Sequence, residues 1–144
     1  MSRGPSKQFD PDVALQQAME VFWAKGYEAA SLSELMARMG ISKKSLYDTF
    51  GNKRSLFLKA LEHYSRTVLQ DMNSQLAGSG SPLRNLETLF QELQVMHSQP
   101  RSHGCMLGTN IADFDSDDEE VASVLRGYLT QLESIYARAI RQAQ

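Results

Sequence analysis

Lys43, Lys44, Ser45, Tyr47 and Thr49 crowd into seven consecutive positions, with only Leu46 and Asp48 between them. Lysine ammonium groups neutralise phosphate or donate to guanine O6 and N7, and serine and threonine hydroxyls bond either a phosphate or a base edge. Tyr47 adds a phenolic donor on a stiff ring. Such a set suits recognition of duplex nucleic acid rather than bond making. A solvated charged face, with Tyr47 half-buried in the core, accounts for the same residues equally well, so the elements that carry them must be considered.

Those elements are two short helices with marked ends. Ser31 followed by Glu34 is a capping box, in which each side chain can satisfy a free backbone N–H at the other position. Leu32, Leu35, Met36 and Met39 recur at three- and four-residue steps and predict one buried face. Gly40 supplies a left-handed stop, Ile41 a buried plug, and Ser42 a second N-cap worth about 1 kcal/mol. A helix therefore begins at Lys43, with Leu46 and Phe50 turned back toward the first. Two helices joined by a short glycine-bearing turn can form a helix-turn-helix, whose second helix enters the major groove.

Charge is divided to match. The whole chain of 144 residues carries 15 basic and 17 acidic side chains, net −2, so it has no global attraction to nucleic acid. Residues 1–66 hold 10 basic and 7 acidic side chains, and the remainder hold 5 and 10. A basic front and an acidic rear fit a DNA headpiece on a body that stays off DNA.

The first third of the chain resembles the TetR/AcrR family of bacterial transcriptional regulators. Ala18, Val21, Phe22, Gly26 and Tyr27 match the family's opening helix and Gly-Tyr turn, and Ser31 matches the Ser or Thr that opens the second helix. Gly40, Ile41, Ser42, Ser45, Leu46, Tyr47 and Phe50 match the turn and third helix, and Lys53, Leu56 and Phe57 the start of the fourth. The resemblance covers roughly residues 9–64. The family often places an aromatic or His just before the Phe, where this chain has Asp48 and Thr49. Asp48 is expected to point away from phosphate or to accept from a cytosine amine.

Position by position, the resemblance implies that Ser31, Tyr47 and Lys53 hold phosphates and that Ser42 does so or caps its helix. Lys43, Lys44, Ser45 and Thr49 would approach base edges. It implies an all-α fold: a three-helix, homeodomain-like helix-turn-helix headpiece over residues 9–55, its helix-turn-helix at about 31–50, then a helical regulatory and ligand-binding domain over 56–144. Family members usually continue for two further helices that form a four-helix dimer interface; this chain stops at Gln144, where those would begin, as a truncated chain or a short member would. The partners implied are double-stranded operator DNA, a small-molecule effector that releases it, and a second copy in a homodimer. Repression is the usual family mode.

The rest of the chain reads as helix. Asp10-Pro11 opens the first helix, with Leu15, Ala18, Met19 and Phe22 buried, and Gly26 ends it. A fourth helix runs from near Asn52 to about Leu76, and a fifth from Pro82 to about Ser98, with Leu86, Leu89, Phe90, Leu93 and Met96 or His97 inward. A short apolar segment runs from Gly104 to about Phe114. Ser116 and Glu119 form a further capping box, and a helix from Asp117 to about Gln142 buries Val121, Val124, Leu125, Tyr128, Leu132, Ile135 and Ala139. Residues 1–8 read as a loose basic arm. There is no apolar run of membrane-spanning length and no secretory signal, so the expected location is the cytoplasm.

Gly104-Cys105 followed by two apolar residues is similar to the start of the family's sixth helix. This likeness implies an effector pocket with Phe90, Met96, Cys105, Met106 and Tyr128 as lining, residues that plain core packing explains as well. Cys105 is the only cysteine, so no intrachain disulfide can form. Its position near a helix start, His103 and Arg101 makes a thiol sensor of oxidants or electrophiles one alternative to an inert thiol. A ligand-binding or interaction protein that no longer binds DNA is another. His63, His97 and His103 are scattered, and nothing is spaced as a catalytic triad or metal-ligand set, so no enzyme activity, metal or cofactor is expected.

Overall fold

The computed structural model describes residues 9–100, 103–110, 114 and 117–144. The expectations placed on residues 1–8, Arg101 and Ser116 lie outside these. Among the described residues there are seven helices and no strand: α1 (Pro11–Lys25), α2 (Leu32–Met39), α3 (Lys43–Phe50), α4 (Lys53–Leu76), α5 (Pro82–Ser98), α6 (Met106–Asn110) and α7 (Glu119–Ala143).

Local chemistry sets the helix ends. The Asp10 carboxylate accepts from the Asp12 N–H at 2.9 Å ahead of Pro11, and the Gly26 N–H closes α1 on the Phe22 carbonyl at 2.7 Å. Ser31 Oγ accepts from the Glu34 N–H at 3.1 Å, and Ser42 Oγ from the Ser45 N–H at 3.1 Å. Between them Gly40 adopts φ 69°, ψ 33°, left-handed as its place after α2 requires. The Glu34 side chain departs from the reciprocal capping expected of it and forms an ion pair with Lys25 of α1.

α4 is the spine. It packs against α1, α5, α6 and α7, while α2 lies on α1 and α5 on α7. Phe22 of α1 and Phe57 of α4 are fully buried and meet edge to face at 5.0 Å. Tyr27 and Phe114 close around Phe57 at 4.9 and 5.0 Å. Leu35, Leu46, Leu56 and Leu61 are also sealed from solvent, so headpiece and body share one continuous apolar core. Each such side chain contributes roughly 1.5–3 kcal/mol through burial.

Three local expectations need correction. On α5 only Leu86 and Leu89 are buried and Leu93 partly so, whereas Phe90, Met96 and His97 are exposed. The helix turns its Leu86–Leu89–Leu93 stripe toward its neighbours, and Phe90, one step round from Leu89, lies flat against Tyr136 on the outside at 5.7 Å and 6°. Ile41 is half-buried rather than sealed. The N-cap of α7 is Asp118, whose carboxylate accepts from the Val121 N–H at 3.3 Å. Asp118 supplies the acceptor expected of Ser116, and the helix starts at Glu119 rather than Asp117.

Candidate nucleic-acid interface

Leu46 and Phe50, 0% and 4% exposed, anchor α3 from behind. Lys43 and Lys44 are exposed, Tyr47 stands 43% exposed, and Ser45 and Thr49 are half-buried along the edge of the helix. Ser42 is exposed and serves as the cap; its hydroxyl also lies 3.1 Å from Ser45 Oγ. Ser31 is exposed at the start of α2, with its oxygen engaged by the Glu34 N–H. The eight residues singled out on this side of the chain thus lie along α3 and at the starts of its neighbours, α2 and α4.

Two of the cations are held by specific partners. Lys44 donates to Asp48 at 2.7 Å, one helical turn on, and this hydrogen bond raises the pKa of the ammonium while compensating its charge. Asp48 is therefore bound to a lysine of its own helix. Lys53 is half-buried with its ammonium 4.6 Å above the Tyr27 ring, a cation–π contact that fixes its direction. α4 starts beside it, with Asn52 Oδ1 accepting from the Ser55 N–H at 2.8 Å. Helix N-termini attract phosphate.

Arg54 is the cation that sequence reasoning passed over. Its guanidinium grips Asp118 through two hydrogen bonds of 2.7 Å each and reaches Glu120 at 3.3 Å. These bonds push the Arg54 pKa up and hold the Asp118 carboxyl below the usual carboxylate range. Adjacent to Lys53 in sequence, Arg54 serves the body, tying the first turn of α4 to the first turn of α7.

The residues named for an effector pocket separate into two groups. Phe90 and Met96 are 55% and 49% exposed on the outer side of α5. Met106 is sealed, Tyr128 is buried, and Cys105 is half-buried near Tyr64. Burial pushes Tyr128 up to about 12 and Tyr64 higher still. Trp23 Nε1 donates to the Gly104 carbonyl at 2.8 Å, pinning the segment before α6 to α1. His103 is exposed, its ring 6.3 Å from that of Trp23. An open groove of about 530 Å³ between α4 and α7 is lined by Ser65, Arg66, Leu69, Val124, Tyr128 and Gln131 among others.

A short α2, a glycine turn and a polar α3 braced on α1 and α4 define a helix-turn-helix DNA-binding protein. Residues 14–60 match the family described as bacterial regulatory proteins, tetR family. The chain is 32% identical over 142 residues to the uncharacterized HTH-type transcriptional regulator YezE of Bacillus subtilis (strain 168), covering 98% of this chain and 73% of that one. It is 32% identical over 127 residues to the HTH-type transcriptional repressor ComR of Escherichia coli (strain K12), covering 87% of this chain and 60% of ComR. Among solved structures, the TetR family transcriptional regulator CifR, a cysteine mutant complexed with 26-base-pair double-strand operator DNA, superposes with a TM-score of 0.78 at 31% identity, over 96% of this chain and 73% of CifR. The chain belongs to the TetR family. Its relatives are transcriptional regulators, which are not enzymes.

Proposed function

We propose that this chain is a repressor that reads operator DNA with α3 as a homodimer and is released when a small-molecule effector binds the helical body. The carrying observation is the two-sidedness of α3: Leu46 and Phe50 are sealed behind it while Lys43 and Tyr47 stand in solvent. In this reading Ser31, Ser42, Tyr47 and Lys53 hold phosphates, and Lys43, Lys44, Ser45 and Thr49 approach base edges. The headpiece boundary at 9–55 and the body at 56–144 follow the same division of labour. Repression is supported by the printed role of ComR, and duplex operator binding by the CifR complex. Two headpieces about 34 Å apart would meet successive major grooves of a two-fold operator.

Release follows by linkage. An effector that favours a body conformation with the wrong headpiece separation lowers DNA affinity by the same factor that DNA lowers its own. Selection of bound sites from random duplex DNA at fixed salt tests the reading. A two-fold consensus is expected, and uniform weak retention of all sequences would refute it.

A further inference from the structure

Asp48 stands where a helix that meets DNA has least reason to carry an acid. At about 100° of rotation per residue, it lies about 180° round α3 from the line between buried Leu46 and Phe50, and Lys44 lies about 140° round. Tyr47 is on a flank, about 80° away. The Lys44 and Asp48 side chains are 86% and 61% exposed. Support of α3 itself is a poor account of this acid. Asp48 occupies the last turn, at the electronegative end of the helix, and lysine first with the acid four residues on is the weaker order for a helical ion pair. Phosphates would repel the carboxylate as well.

The base edges are the one part of a duplex that offers it a donor. With 8 residues α3 is about 12 Å long, the width of the major groove, so its outermost side chains reach the groove floor between the phosphates. We propose that Lys44 and Asp48 act as one unit that reads a C·G base pair in each half-site, Asp48 accepting from the cytosine N4 amine and Lys44 donating to O6 and N7 of its guanine. The inference rests on the operator-reading proposal above and names the base pair at its centre.

The inventory of donors and acceptors fits. Lys44 gives one of its three N–H donors to Asp48 Oδ2 at 2.7 Å, which leaves two for guanine, and Asp48 Oδ1 has no partner among the described residues. Across the major groove, C·G presents a donor and then two acceptors, in step with carboxylate and then ammonium. An A·T pair instead sets adenine N7 against the carboxylate and the thymine methyl beside the ammonium. A reversed G·C pair turns two acceptors toward the carboxylate. Specificity thus comes as much from repulsion of wrong pairs as from bonds to the right one. Removing the acid relieves that repulsion everywhere.

Selection of bound sites from random duplex DNA, run in parallel on the wild-type chain, Asp48→Ala and Asp48→Asn, tests the assignment. The wild type should select one C·G pair in each half-site and lose about tenfold in affinity when that pair alone is changed. Asp48→Ala should gain little on the preferred operator and much more on the altered ones, so that the preference at that position collapses. Asp48→Asn should move it from C·G to A·T, because an amide pairs with adenine N6 and N7. Both side chains are exposed, so melting temperatures close to wild type are expected and check that the variants are folded. A two-fold consensus that is the same in all three proteins overturns the inference and leaves operator reading intact, and so does a change at any pair other than C·G. Uniform retention of all sequences by the wild type overturns both.

Discussion

The guanidinium of Arg54 and the carboxylate of Asp118 face each other through two parallel hydrogen bonds of 2.7 Å, across 64 residues of sequence. Asp118 also caps α7, so one carboxylate joins the start of the body's last described helix to the first turn of α4. Lys53, one residue earlier, turns instead onto the Tyr27 ring, 4.6 Å from its ammonium. The pair is thus a joint between the first turn of α4 and the start of α7.

Removing that joint should loosen the body more than the headpiece. Asp118→Ala removes cap and ion pair together and is expected to lower the melting temperature more than Arg54→Met, which removes the ion pair alone. Asp118→Asn keeps a capping oxygen and should fall between wild type and Asp118→Ala. The Asp118 carboxyl lies below its unfolded value of about 3.8, so its contribution is present above that pH and is lost as acidification passes through the folded value. Thermal melts of the three variants, repeated in high salt, check the order; equal melting temperatures would show that the joint is idle.

The proposed operator reading assigns different roles to different residues. Lys43→Ala is expected to relax sequence preference at the base it reads, with a loss of about 1–3 kcal/mol on the preferred operator. Tyr47→Phe should weaken every sequence alike. Asp48→Ala frees the Lys44 charge and should strengthen binding to all duplexes while steepening the salt dependence. Gel-shift titrations on operator and scrambled DNA at two salt concentrations separate the three.

His63 predicts a pH response. Its Nε2 lies 2.8 Å from Gln16 Oε1 between α4 and α1, and burial first, then the Arg66 charge, lowers its pKa below 6.5. The unfolded chain therefore binds more protons just below pH 6.5, and stability falls as pH drops through that window. Melting temperatures at pH 7.5 and 5.5 should differ in the wild type, and the part of that difference due to His63 should vanish in His63→Gln.

The aromatic cluster sets the size of a core loss. Phe57→Ala empties a fully buried position packed by Phe22, Tyr27 and Phe114 and is expected to cost about 3–5 kcal/mol. That is a large share of a domain's stability of roughly 5–15 kcal/mol. Gly40→Ala, forced to keep φ 69°, should cost about 1–2 kcal/mol. Urea titration measures both; a Phe57→Ala loss below the Gly40→Ala loss would mean that the cavity collapses.

The headpiece was legible because its signals are local. Ser31, Gly40 and Ser42 act on backbone groups within four residues, and Leu46 and Phe50 repeat at helical spacing, so the sequence determined the caps, the turn and the buried side of α3. Phe90 shows where that logic stops. A stripe of apolar residues on α5 does not say which edge its neighbours will cover, and the structure turned Phe90 outward onto Tyr136. Asp118 sits within an acidic run, and nothing near it in sequence announces Arg54.

By itself the chain determined that it is helical, where its first four helices start, and which side of α3 stays polar, because hydrogen-bond capping and side-chain periodicity act over a single turn. Tertiary structure alone decided that Lys53 lies on Tyr27, that Arg54 reaches Asp118, and that Asn110 keeps an unpaired oxygen among hydrocarbon walls. Those relationships arise only when α4 closes on the turn after α1 and on α7, and when α6 packs against them. Packing of that kind is a property of surfaces distant in sequence, and no short window of residues encodes it.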